Sequence, residues 1–62
     1  MKKVVMIFPD TSGMADFILS ERLSNTEVNS VEKTLVAPMT DRQIMKAETV
    51  YGAILKTMIS QD

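Results

Sequence analysis

VVMIFPDTSG, residues 4–13, is the stretch of sequence that decides the fold. Its first five residues form a continuous apolar run that is rich in β-branched side chains and is closed by Pro9. Such a run is typical of a strand covered on both faces, so we place it centrally in a sheet. The residues from Asp10 to Gly13 favour turns and helix caps, which predicts that a helix begins near Ser12 or Gly13.

The first predicted helix runs to about Leu23. Its apolar residues fall on one broad side at helical spacing, which predicts a face that packs on the sheet. The members of this stripe are Met14, Ala15, Ile18, Leu19 and, at its margin, Leu23. Phe17 lies off the stripe, so the pattern does not assign it to the core.

Residues 27–37 carry a strand signal with an imperfect phase. Val28 and Val31 have opposite parity, so a single strand must contain a bulge, whereas two short strands need a turn near Glu32 and Lys33. The sequence leaves open whether this segment is one bent strand or a hairpin. Pro38 is expected to end it.

A second helix is predicted from Asp41 to about Ile59. Thr40 and Gln43 fit a capping box, in which each side chain accepts a hydrogen bond from the other residue's backbone N–H. An apolar stripe at helical period predicts the face that packs on the sheet, and it comprises Ile44, Ala47, Tyr51, Ile54, Leu55 and Met58. Gly52 then lies within the helix.

These elements predict an α+β fold, a two-layer sandwich of βαβα or βαββα order with both helices on one side of the sheet. The residues around the first turn resemble the ACT domain, a ferredoxin-like regulatory module whose first strand ends in an Asp-x-x-Gly turn. Asp10, Gly13, Met14, Ala15 and Ile18 stand at matching places, and residues 28–31 resemble its second strand. The match covers about half of the chain.

The resemblance implies that a small molecule, often an amino acid, binds at a domain interface near this turn. The candidate ligand-binding residues are Asp10, Thr11, Ser12, Gly13 and Met14. Backbone N–H groups at a helix N-terminus favour an anionic group, and Gly13 permits close approach. Asp10 is expected to act as a cap more than as a partner for an ammonium group.

An ACT domain has a fourth strand after its second helix, whereas the predicted second helix leaves no room for one. The expected fold is therefore ferredoxin-like without its last strand, and residues 4–8 become an open edge. A hydrophobic edge pairs readily with another chain. The expectation is a homodimer or a higher homo-oligomer.

Length and composition support association. The 62 residues form a single domain whose core is small, and the absence of Cys excludes disulfide support.

A net charge of -1 argues against nucleic acid as a partner. No apolar stretch approaches the roughly 20 residues that span a bilayer, and the apolar run after Lys2 and Lys3 is too short for a signal peptide, so we expect a cytoplasmic protein without a membrane partner.

The chain offers little material for catalysis. It lacks His and Cys, so Ser12 has no His to activate it, and its eight acidic residues are scattered rather than paired. We expect no catalytic residues, no metal and no cofactor. The predicted function is a non-enzymatic, ligand-binding or regulatory module. The alternatives are a structural or interaction module that pairs through an open sheet edge, and an enzyme subunit that a partner completes.

Overall fold

A computed structural model describes residues 2–61 and shows an α+β fold in two layers. Four antiparallel strands form one sheet in the order β2-β3-β1-β4, and two helices pack on one of its faces. The elements in chain order are β1 (Lys2–Ile7), α1 (Thr11–Glu21), β2 (Glu27–Asn29), β3 (Thr34–Met39), α2 (Asp41–Val50) and β4 (Ile54–Gln61).

The fourth strand corrects the prediction of a helix that continues to Ile59. The helix begins as predicted, with a complete capping box between Thr40 and Gln43, but ends at Val50. Gly52 then adopts φ +71°, a left-handed conformation that glycine tolerates best, and the Ala53 N–H donates to the Ala47 carbonyl at 3.0 Å. The chain is thereby turned into β4 instead of continuing the helix.

The last strand changes the position of β1. Because β4 pairs with β1 on the side opposite β3, β1 is an interior strand and residues 4–8 are not an open edge. The prediction of a fold without its last strand is wrong for the same reason. The edges of the sheet are instead the short β2 and the longer β4.

Residues 27–37 form a hairpin, one of the two arrangements that the sequence allowed. The Asn29 side-chain oxygen accepts hydrogen bonds from the Val31 and Glu32 N–H groups at 3.0 Å each, and Lys33 closes the turn at φ 59°. Pro38 lies within β3 rather than ending it. β2 pairs only with residues 34–36 of β3. At Pro38 the β2 side of β3 therefore has no neighbouring strand, and the N–H that proline lacks interrupts no hydrogen bond between strands.

The core lies between the helices and the inner face of the sheet. Its buried strand residues alternate along β1 and β3, and its helical residues are Met14, Phe17, Ile44 and Ala47. Phe17 is fully buried, whereas Leu19 is 76% exposed, which reverses their predicted roles. The helix is turned so that its largest apolar side chain enters the core.

Candidate functional site

The loop from Pro9 to Gly13 joins the interior strand β1 to the start of α1. Asp10 is the N-cap of the helix, and its carboxylate oxygen accepts a hydrogen bond from the Gly13 N–H at 2.6 Å. Lys33 from the hairpin turn donates to the Pro9 carbonyl at 3.3 Å. The cap satisfies one of the backbone donors that a helix N-terminus leaves free.

Gly13 lies close to the side chains of Asp10 and Tyr51. A Cβ atom on it would lie 3.1 Å from the Asp10 carboxylate and 3.6 Å from the Tyr51 ring. The spacing of Asp10 and Gly13, which carries the resemblance to the ACT family, therefore has a structural basis in the cap and in the packing of α1 against Tyr51.

All three aromatic side chains of the protein meet beneath this loop. The Phe17 ring centroid lies 5.6 Å from that of Phe8 and 5.3 Å from that of Tyr51, within the range of favourable aromatic pairs. Tyr51 is partly buried. Its hydroxyl donates to the Asp16 carboxylate at 2.8 Å, which keeps the polar end of the side chain at the surface. The cluster fixes the end of α2 against α1.

An ion pair between Lys46 and Glu21 also ties the helices together, with an N–O distance of 2.6 Å. The hydrogen bond from Lys46 lowers the pKa of the Glu21 carboxyl, and the same bond raises the pKa of Lys46. Because the pKa of Glu21 is lowered by folding, the stabilisation is present above the usual carboxyl range. It is lost as the pH falls through the folded-state pKa.

The five candidate ligand residues do not all face solvent. Thr11 and Ser12 are exposed at the start of α1, while Asp10 and Gly13 are joined by the capping bond. Met14 is buried in the core. The exposed polar groups of the loop are therefore two hydroxyls and the capping carboxylate.

Comparisons with protein-family models, with curated proteins and with solved structures gave no match. Neither helix in the described part of the chain is long and apolar enough to cross a membrane. Across residues 2–61, no three or more acidic side chains are grouped in a way that suits a metal ion.

A second candidate site is the sheet face that the helices leave uncovered, which we call the open face. Alternation along the strands places apolar side chains on it as well as in the core. They are Val5, Ile7, Val36, Pro38 and Ile54. The first four are half-buried and Ile54 is 65% exposed.

The continuous apolar run in residues 4–8 is the sequence signal for the open face. A strand with one solvated face normally alternates apolar and polar residues, whereas this run has the composition of a strand covered twice. The helices cover only the face that carries Val4 and Met6. In residues 2–61, no second layer lies over Val5 and Ile7, although their apolar run is typical of a strand that two layers cover.

Proposed function

We propose that this protein is a non-catalytic interaction module that associates with further copies of itself through the open face of its sheet. The observation that carries the proposal is the row of apolar side chains on that face. On this face, five apolar side chains remain in contact with water beside polar ones. Self-association removes them from water and adds to a core that is small in a domain of 62 residues.

The area of the open face sets the expected affinity of the dimer. Six-residue strands are about 20 Å long and four strands span about 19 Å, so two copies bury on the order of 800 Å² in total. Interfaces of this size belong to the weak and reversible class. The expected dimer therefore dissociates on dilution.

Sedimentation velocity over protein concentrations from about 10 µM to 1 mM tests this proposal. The wild-type chain is expected to shift from monomer to dimer over that range. Val36→Lys places a charge in the middle of the face and is expected to keep the chain monomeric, because burying an unpaired ammonium group is costly. A wild-type chain that stays monomeric at 1 mM contradicts the proposal.

Leu19→Lys is the matched control. Leu19 is also apolar and exposed, but it lies on α1 in the helical layer. This variant is expected to associate like the wild type. Circular dichroism of both variants separates lost association from lost folding.

The proposed fold is ferredoxin-like. It is supported by the β-α-β-β-α-β order and by the antiparallel sheet with β1 and β3 in its interior. The fourth strand removes the departure from the ACT pattern that the predicted second helix implied. The ACT resemblance and a cytoplasmic location remain predictions.

A second candidate function is the binding of an amino acid at the Asp10 loop of such a dimer. It is favoured by Thr11 and Ser12, which are exposed at the first turn of α1 and whose hydroxyls can donate hydrogen bonds to a carboxylate beside the capped Gly13 N–H. Under this hypothesis, one amino acid of a panel raises the melting temperature of the wild type by mass action. A flat response across the panel contradicts it.

The capping role of Asp10 predicts how its substitution changes stability. Removal of the capping carboxylate by Asp10→Ala is expected to lower the free energy of unfolding by about 1 kcal/mol, while Asp10→Asn retains an accepting oxygen and most of the stability. Urea denaturation measures both. Equal losses in the two variants would show that the cap is not the stabilising feature.

A further inference from the structure

We infer that the two copies meet in a two-fold arrangement in which Lys3 of each chain lies against Glu27 of the partner subunit. This inference rests on the proposed function and specifies its partner and its register. It follows from the positions of charged and apolar residues on the open face.

Strand pairing arranges the open face in rows. One row holds Lys3 and Pro38, which pair directly. The next holds Thr57, Val5, Val36 and Glu27, and the last holds Ile54, Ile7, Thr34 and Asn29. Lys3 and Glu27 are thus two strands and two residues apart, which corresponds to roughly 12 Å across the face.

Two-fold symmetry requires the face to complement itself. An axis lying in the interface and midway between Lys3 and Glu27 passes between Pro38 and Val36, and then between Val5 and Ile7. It therefore runs through the apolar residues of the face. The strands of the two copies then cross at roughly 70°, near the orthogonal class of sheet packing.

The same axis matches the remaining apolar side chains. With the row spacings above, Val5 falls near the partner's Val36, and Ile54 falls near the partner's Ile7. Apolar side chains thus face apolar side chains at the centre. The two Lys3 and Glu27 pairs lie at the rim, where charges set specificity and register.

Charge favours a second copy over a strongly acidic or strongly basic partner. No ion pair of the described residues engages Lys3 or Glu27, and the two charges are opposite in sign. A strongly acidic or basic partner would leave one of them facing a like charge. A second copy of this chain pairs both.

Charge reversal tests the register. Lys3→Glu alone sets two carboxylates against each other at each contact, and Glu27→Lys alone sets two ammonium groups against each other. Each variant is expected to self-associate at least about tenfold more weakly than the wild type, because like charges then meet twice. An equimolar mixture of K3E and E27K forms a mixed dimer in which one contact pairs the two introduced charges and the other pairs the two native ones.

In the mixed dimer, the native Lys3 of the E27K chain meets the native Glu27 of the K3E chain at one contact. The two reversed side chains meet at the other contact. Opposite charges therefore meet at both contacts. The mixture is expected to recover the wild-type dissociation constant to within about threefold. Sedimentation velocity of each variant alone and of the mixture measures these constants.

Arg42→Glu and Glu48→Lys are matched controls, because both residues are exposed on α2 in the helical layer. Neither these variants nor their mixture should change association.

If V36K abolishes the dimer but mixing K3E with E27K restores no association, the register is wrong and the proposed function stands. A monomeric wild type contradicts the proposed function itself. Should K3E fail to fold, K3Q mixed with E27K gives a smaller recovery, and no recovery overturns the register.

Discussion

Phe17→Ala is expected to lower the free energy of unfolding by about 3–5 kcal/mol, the usual cost of removing a buried aromatic ring. Phe17 is fully buried and lies between Phe8 and Tyr51, so its loss leaves a cavity at the centre of the aromatic cluster. A domain this small has little stability in reserve. We therefore expect most of the variant to be unfolded at 25 °C by circular dichroism.

Leu19→Ala is the comparison that gives this result its meaning. The helical stripe predicts Leu19 in the core and Phe17 outside it, whereas the structure places them the other way round. Leu19→Ala is therefore expected to change the free energy of unfolding by less than about 0.5 kcal/mol. A large loss for L19A with a small loss for F17A in urea denaturation would contradict the orientation of α1.

The sequence predicts those parts of the fold that depend on local chemistry. A strand at β1 follows from the continuous apolar run, and the start of α2 follows from the pairing of Thr40 with Gln43. Both signals lie within a few residues and need no knowledge of the remaining chain. The same apolar run favours a central place in the sheet, but the helix predicted to continue to Ile59 makes it an open edge, which the fourth strand corrects. The orientation of α1 cannot be predicted from such local signals. α1 has apolar residues on several sides, and packing against β1 decides which of them is buried.

The last strand escapes sequence prediction because its pattern is distorted. Shifts in the pairing of β1 with β4 between Lys3 and Val4, and between Val5 and Met6, break the period of two that identifies a strand. With that period interrupted, Tyr51, Leu55 and Met58 happen to continue a helical stripe. The pairing with β1 that forms the strand is a long-range contact, which no local pattern reveals.

The candidate site is predictable within similar limits. Asp10 and Gly13 are recognisable as a turn at the end of β1, and the structure gives that turn a capping bond, with room for a Cβ on Gly13 limited by Asp10. The open face is not recognisable as a site from sequence, although residues 4–8 carry its signal. An apolar strand indicates that two layers cover it, and only the topology shows that residues 2–61 place a layer on one face alone.

Gly52→Ala distinguishes the two interpretations of the segment after Val50 by the sign of its effect. Within a continuous helix, alanine in place of glycine stabilises by up to about 1 kcal/mol. At the observed φ of +71°, a Cβ atom is strained, and the variant is expected to lose about 1–2 kcal/mol. The nearest side-chain atom, in Pro9, would lie 3.8 Å away, so backbone strain rather than a clash causes the loss.

Gly52→Asn is the matched control, since asparagine tolerates the left-handed conformation better than alanine does. It is expected to lose clearly less stability than G52A in urea denaturation. If G52A proves more stable than the wild type, the turn after α2 is not formed and residues 54–61 do not pair with β1. The open face then loses Ile54. Because β4 completes the sheet on which the dimer is built, the sign of this one substitution tests the fold and the basis of the proposed function together.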